Sequence, residues 1–415
     1  MPLLLFSLFA LTTLFTYWLR HINLAHMKSH GATIPAGFET MVSSETLTKT
    51  VLYTVESSRL GLWESLFDNL LLVFFLFAGL LPAYDDIISG ITSAPVLQGV
   101  LFFIVLSWLQ AVIDIPFSLY GTFVVEARHG FNTMTPRLWL TDLLKSQAIG
   151  SVISALLLGA VFALIEWSSS NWWLWVWGFL AIFSIFMMFI SPYVIEPLFN
   201  RFEPVTEEGL EDKIRTMMEK AGLKVGRVMQ MDASKRSRHS NAYFTGIGRV
   251  KRIVLYDTLI RQMTHAEIVA VLAHEIGHWK RGHIWKRLLL AEILALAGSW
   301  LAFLALAWDG LPALLGYGDL SLAARLVILG FLASLAMFPI TPLSSWLSRR
   351  DEYEADRFAA EITADPGSLA TALIKLSTEN LSNLHPHPFY ASFYYSHPPV
   401  VERVGRLMAM EKTGT

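Results

Sequence analysis

Hydrophobic positions in this chain come in two patterns. Seven long apolar runs, at residues 2–19, 62–83, 95–120, 148–165, 172–195, 288–308 and 326–347, each have the length a helix needs to cross a bilayer. Between and after them the pattern turns polar and amphipathic, and two of these stretches, 196–287 and 348–415, are large enough to fold. The first apolar run lacks the basic start and small-residue cleavage site of a signal peptide, so it reads as a retained span. No internal repeat or low-complexity linker interrupts the pattern. It predicts a mainly α, multi-pass membrane protein organised as 1–195 (spans one to five), 196–287, 288–347 (spans six and seven) and 348–415.

The polar stretches have elements of their own. In 196–287 a helix is predicted over 207–221 and a strand over 227–232. Segments 241–245 and 252–256, with Gly246 and Gly248 between them, predict a hairpin, which makes the segment a small α+β unit. Thr264 and Glu267 then form a T-x-x-E capping box, and Ile268, Val269, Leu272 and Ile276 follow at helical spacing. In 348–415 a helix runs to about Thr363, Asp365-Pro366-Gly367 turns, a second helix covers 368–380, and a last one ends near Arg406.

Composition agrees with the membrane reading, at 54% hydrophobic and 16% charged residues. Every one of the 32 Lys and Arg except Arg325 falls on one side of the seven runs, in 20–61, 121–147, 196–287 or 348–415. By the positive-inside rule that side is cytoplasmic and the N-terminus lies outside. The compartment expected is a bacterial inner membrane, or the endoplasmic reticulum if the chain is eukaryotic. A net charge of −2 singles out no partner class, and nucleic acid is not among the partners expected. Glu64, Asp68, Asp114 and Glu292 fall in or beside the spans. Glu64 and Glu292 have an interfacial reading as well as an interior one, whereas Asp114 lies deeper and calls for a polar interior.

The chemistry is concentrated in Ala273-His274-Glu275-Ile276-Gly277-His278-Trp279. On the Thr264 helix, His274 and His278 share a face one turn apart and suit two corners of a tetrahedral Zn²⁺, with Glu275 beside them as general base. Composition alone gives about 0.03 chance occurrences of such a pattern. The chain has no cysteine, so a third ligand must be His or a carboxylate. A continuation H-x-x-G-x-x-H is absent: Arg281 and Ile284 stand where Gly and His are needed, with Gly282 and His283 out of register. Glu352 meets the need from a second helix. Asp356, four residues on, lies on the same face and is placed to accept the other ring N–H of a zinc histidine. Glu354 has Phe358 at that offset, and Pro366 ends the helix before Glu361 and Asp365 can pair.

Glu352-Tyr353-x-Ala355-Asp356 together with HEIGH resembles the membrane metallopeptidases that include the type I CAAX prenyl endopeptidases. Further stretches resemble that subfamily: Thr122-Phe123-Val124-Val125-Glu126 with His129-Gly130-Phe131-Asn132, Glu196-Pro197-Leu198-Phe199-Asn200, His239-Ser240-Asn241-Ala242-Tyr243-Phe244 and Ser396-His397-Pro398-Pro399. The resemblance runs over nearly the whole chain, and the absence of cysteine and the compact loops suit a bacterial homologue. It implies one Zn²⁺ per chain on His274, His278 and Glu352, with Glu275 as base and Asp356 behind the ligands. It further implies an edge strand at Asn241, Ala242 and Tyr243 that pairs with an extended substrate, His397 on the oxyanion, and Arg403 as a brace. Seven spans around an internal chamber, a catalytic domain on the cytoplasmic side, a peptide or lipidated-peptide substrate among membrane lipids, and a monomer complete the expectation. Two alternatives stand beside it: a quality-control protease for membrane proteins, and a transporter or lipid-binding protein without catalysis.

Overall fold

Seven helices long and apolar enough to cross a membrane are present among the described residues: Pro2–His30, Ser44–Phe77, Pro95–Glu126, Pro136–Trp167, Trp172–Phe199, His283–Ala307 and Leu322–Thr363. The structure, a computed structural model, describes residues 1–245 and 250–413. Five of the helices contain the expected runs and extend beyond them, while the second and sixth end short of theirs, at Phe77 and Ala307. The second begins at Ser43, whose hydroxyl accepts the Thr46 N–H at 3.1 Å, and its 34 residues span about 51 Å against a hydrocarbon layer of about 30 Å. It stops at Phe77 rather than 83. Gly79 takes a left-handed φ of 87° and donates its N–H to Tyr317, which starts a separate helix, Leu80–Ile91. The third and fifth spans end in π-helical turns, Gly121–Glu126 and Ser191–Ile195.

Buried side chains gather at the two ends of the spans. One core holds Leu5, Leu76, Leu81, Phe102, Phe162, Leu315 and Phe331, far from the polar domain. There Asp85 accepts the backbone N–H of Ser321 at 2.8 Å at the start of the seventh span. Arg325, the one basic residue outside the charge asymmetry, donates to the carbonyls of Leu306 and Trp308 and so caps the end of the sixth span. The second core holds Leu210, Ile253, Leu272, Ala359, Ile374 and Leu407 in the polar domain. The most apolar window of each span is at most 11% buried. Apolar surface left exposed along the spans is what helices facing lipid present. Gln110 bonds Asp114 at 2.8 Å and reaches toward Asp68 of the second span at 3.4 Å.

The polar domain contains a four-stranded sheet in the order β1-β2-β4-β3: β1 is Phe202–Pro204, β2 Lys224–Met231, β3 Ala242–Thr245 and β4 Val250–Tyr256. β2 and β4 run parallel, and β1 and β3 are antiparallel edges. The expected pairing of the last two strands is present, in the register Ala242↔Leu255. The turn predicted around Gly246 and Gly248 lies outside the described residues. β1 escapes sequence reading because three residues ending in proline carry no alternation.

Candidate active site

The helix His265–Lys280 starts where the sequence places it. Thr264 and Glu267 exchange side-chain and backbone hydrogen bonds, and Lys375 of the helix Pro366–Glu379 donates to the same Glu267 oxygen at 2.7 Å. Burial pushes the Glu267 carboxyl up, but Lys375 and the Thr264 amide outweigh it and hold the group below the ordinary glutamate range. Gly277 lets this helix approach the one bearing Glu352. A Cβ at Gly277 would lie 2.9 Å from the Ala355 Cα, so any larger residue forces the two helices apart.

Both helices are tied to spans. Gly282, left-handed at φ 72°, separates His265–Lys280 from the sixth span. The seventh span passes through a short turn at Phe338–Ile340 into Thr341–Thr363, which carries Glu352 and Asp356. Membrane packing thereby sets the relative position of the two histidines and the carboxylate.

These three side chains meet. His274 Nε2 and His278 Nε2 are 3.2 Å apart; Glu352 Oε2 lies 3.3 Å from the first and Oε1 3.2 Å from the second. Ligand atoms on a tetrahedral Zn²⁺ stand about 3.3–3.4 Å from one another. Glu352 is 3% exposed, and its Oε2 has no hydrogen-bond partner among the described residues. A buried carboxylate facing two ring nitrogens fits a cation.

The charges behind the ligands fix the orientation of the His274 ring, and without a metal they also favour its protonated form, so a bound cation displaces a proton. Asp356 Oδ1 lies 2.8 Å from His274 Nδ1, which puts the ring proton there and leaves Nε2 its lone pair. Arg403, also buried, donates to both Asp356 oxygens at 2.9 and 2.6 Å and stands 3.5 Å from Glu352 Oε2. Burial and Arg403 disfavour protonation of His274, but Asp356 and Glu352 prevail and bring its pKa up to about 8.

His278 has a support that sequence reasoning missed. Its Nδ1 lies 3.1 Å from Nδ1 of buried His283, whose Nε2 is 3.2 Å from Glu354 Oε2. With Nε2 of His278 reserved for a metal, Nδ1–H donates to His283, which in turn donates to Glu354. His283 is out of register for a third ligand but in reach of the second one. The five-residue spacing of two histidines across Gly282 is the signal that was available.

The remaining expected residues divide into two groups. Glu275 is half-buried and lines a cavity of about 360 Å³ with His278, Glu352, His397, Tyr243 and Phe244. His397 is exposed, and its Nε2 is 3.3 Å from Glu352 Oε1. Tyr243 donates to Glu196 at 2.6 Å; burial first, and then that carboxylate, push its phenol well above the ordinary range. Asn241 precedes the edge strand β3 rather than lying in it, and its side chain accepts the Ala242 N–H at 2.8 Å. Ala242, the first residue of β3, is buried and Asn241 is exposed, and neither lines the cavity. Two other motif stretches meet nearby. Glu126, in the π-turn of the third span, accepts from Tyr53 at 2.6 Å and lies 3.2 Å from His239, whose ring stacks on Phe131.

A polytopic helical membrane protein with a buried His-His-Glu cluster, and a glutamate between the histidines facing the cleft, has the architecture of a membrane-embedded metallopeptidase. Residues 23–201 match a family model described as the CAAX prenyl protease N-terminal region of five membrane helices, and 204–411 match peptidase family M48. The chain belongs to peptidase family M48. It is 32% identical over 398 residues to a CAAX prenyl protease 1 homolog of Arabidopsis thaliana, covering 92% of this chain and 91% of the relative. CAAX prenyl protease 1 of Saccharomyces cerevisiae is 30% identical over 406 residues, covering 90% and 88%. The crystal structure of S. mikatae Ste24p superposes with a TM-score of 0.92 at 27% identity, over 98% of both chains.

Proposed function

We propose that this protein is a membrane-embedded zinc endopeptidase that cleaves CAAX-type, prenylated peptides near their C-termini, with one Zn²⁺ held by His274, His278 and Glu352. The observation that carries the reading is the triangle of ligand atoms 3.2–3.3 Å on a side, set on helices joined directly to the sixth and seventh spans. A bond cut there lies close to the membrane, where a lipid-anchored C-terminus is held. The relatives named as CAAX prenyl proteases support the substrate class. Segments 196–287 and 348–415 act as one catalytic unit, because the ligands come from both. The basic asymmetry supports a cytoplasmic position for it, and the protein works as a monomer.

Zinc, when bound, supplies Lewis-acid polarisation of the scissile carbonyl and acidifies a water. Glu275 accepts the proton of the attacking water and returns it to the leaving amine. His397 donates to the carbonyl oxygen as negative charge develops there. Asp356 and Arg403 fix the His274 ring, and His283 fixes that of His278. The β3 edge, which begins at Ala242 just after Asn241 and presents Tyr243 to the cleft, aligns an extended substrate backbone.

The test is hydrolysis of a farnesylated CAAX peptide and of its unprenylated twin by wild type and Glu275→Gln, with bound zinc measured in both. The variant is expected to retain zinc and lose at least about 10²–10⁴ in turnover, and the wild type to prefer the farnesylated peptide. Full activity in the variant refutes the assignment of Glu275. Equal cleavage of the two peptides favours general membrane proteolysis.

A further inference from the structure

The largest cavity described lies outside the catalytic centre. It measures about 610 Å³, opens between the first and second spans, is lined by Arg20, Arg59, Trp63, Leu66 and Tyr390 among others, and shares no lining residue with the catalytic cavity. It sits where the apolar runs of both spans give way to basic residues. Tyr390 of the helix Pro388–Tyr394, in the segment after the seventh span, also lines it, and Asn23 accepts the His387 N–H at the start of that helix at 2.9 Å. The pocket therefore lies at headgroup depth, in the leaflet that faces the catalytic domain.

We propose that this pocket binds one anionic phospholipid, with its phosphate between Arg20 and Arg59 and an acyl chain along Leu62, Trp63 and Leu66. Three observations carry this. No carboxylate lines the pocket. Arg20 donates only to the Gly61 carbonyl, at 3.2 Å, and Arg59 is exposed with no hydrogen bond or ion pair, among the described residues. Leu62, Trp63 and Leu66 turn exposed apolar surface outward from the same pocket, with Trp63 65% exposed. Guanidinium groups without carboxylates, beside Tyr and Trp at an interface, attract a headgroup phosphate, while the apolar wall accepts the chain attached to it. A free phosphate would leave that wall without an occupant.

The test is native mass spectrometry of the full chain, purified in detergent, with phosphatidylglycerol, phosphatidylcholine of the same acyl chains, or inorganic phosphate. Wild type is expected to retain one phosphatidylglycerol in preference to phosphatidylcholine, and the Arg20→Gln/Arg59→Gln double variant to bind it on the order of 10- to 30-fold more weakly. Zinc content shows whether each variant is folded. Should the double variant not fold, Arg59→Gln alone, at a residue that ties nothing together, is expected to weaken binding about fivefold. Equal retention of the two lipids, or unchanged retention by the variants, overturns the proposal. So does displacement of the lipid by millimolar inorganic phosphate, which makes the pocket an anion site. One-for-one displacement by a farnesylated, phosphate-free peptide also overturns it, by making the pocket part of the substrate path.

Discussion

The two ends of the seven spans hold together by opposite means. The end far from the catalytic domain is closed mainly by apolar side chains such as Leu76, Leu81 and Phe162, with a few polar groups bonded to backbone, among them Asp85 on Ser321, Tyr84 on the Phe102 carbonyl and Arg325 on the carbonyls of the sixth span. The catalytic end buries His274, Glu352, Asp356 and Arg403 within a few ångströms of one another. An apolar closure stabilises by area removed from water and tolerates substitution. A buried charge network costs desolvation and stands only while every member is present. The chain keeps such a network where chemistry needs it and uses the apolar closure to hold the helices that carry it.

Loss of one charge at the catalytic end is therefore expected to cost far more than loss of one cap at the other. Arg403→Met leaves Asp356 buried without its bidentate partner, at a cost of about 3–5 kcal/mol. Asp85→Ala removes hydrogen bonds to one N-cap residue and costs about 1 kcal/mol. Thermal unfolding of both variants in one detergent checks the ratio, and equal losses would erase the contrast between the ends.

A narrower effect is expected at His283. His283→Phe keeps the buried volume but removes the acceptor for His278, and zinc affinity should fall about 10- to 100-fold. Competition with a chelator reads this without recourse to activity. An unchanged affinity means that His278 is oriented by packing alone.

Glu267 adds a pH signature to the comparison. Its carboxyl is depressed in the fold, so its contribution is present above the ordinary glutamate value of 4.5 and is lost as pH falls below it. Glu267→Gln should lower stability near neutral pH by about 1–3 kcal/mol, with the difference from wild type shrinking in acid. Melting curves from pH 7 to pH 3 check the sign, and a gap that widens in acid contradicts the account.

Legibility in the sequence follows the same physics. Seven spans, the Thr264 capping box and the His274, His278, Glu352 and Asp356 set are short-range patterns at fixed helical spacing, and the structure brings that set together. What escaped depends on contacts between distant segments. The second span's early start rests on a cap at Ser43, and its early stop on Gly79 meeting Tyr317 across the bundle. Asp356 had a placement in the sequence, but its link to Arg403 joins residues 47 positions apart. Asn241 fell just outside its strand because one residue of register cannot be read from so short a run. The role of Gly277 appears only against Ala355 of the facing helix.

Anomalous diffraction at the zinc edge from crystals of the wild-type protein tests the central claim most directly. The account predicts one strong peak per chain, about 2.0–2.2 Å from His274 Nε2, His278 Nε2 and a Glu352 oxygen. A peak ligated by other residues, or no peak in protein that cleaves peptide, would contradict it.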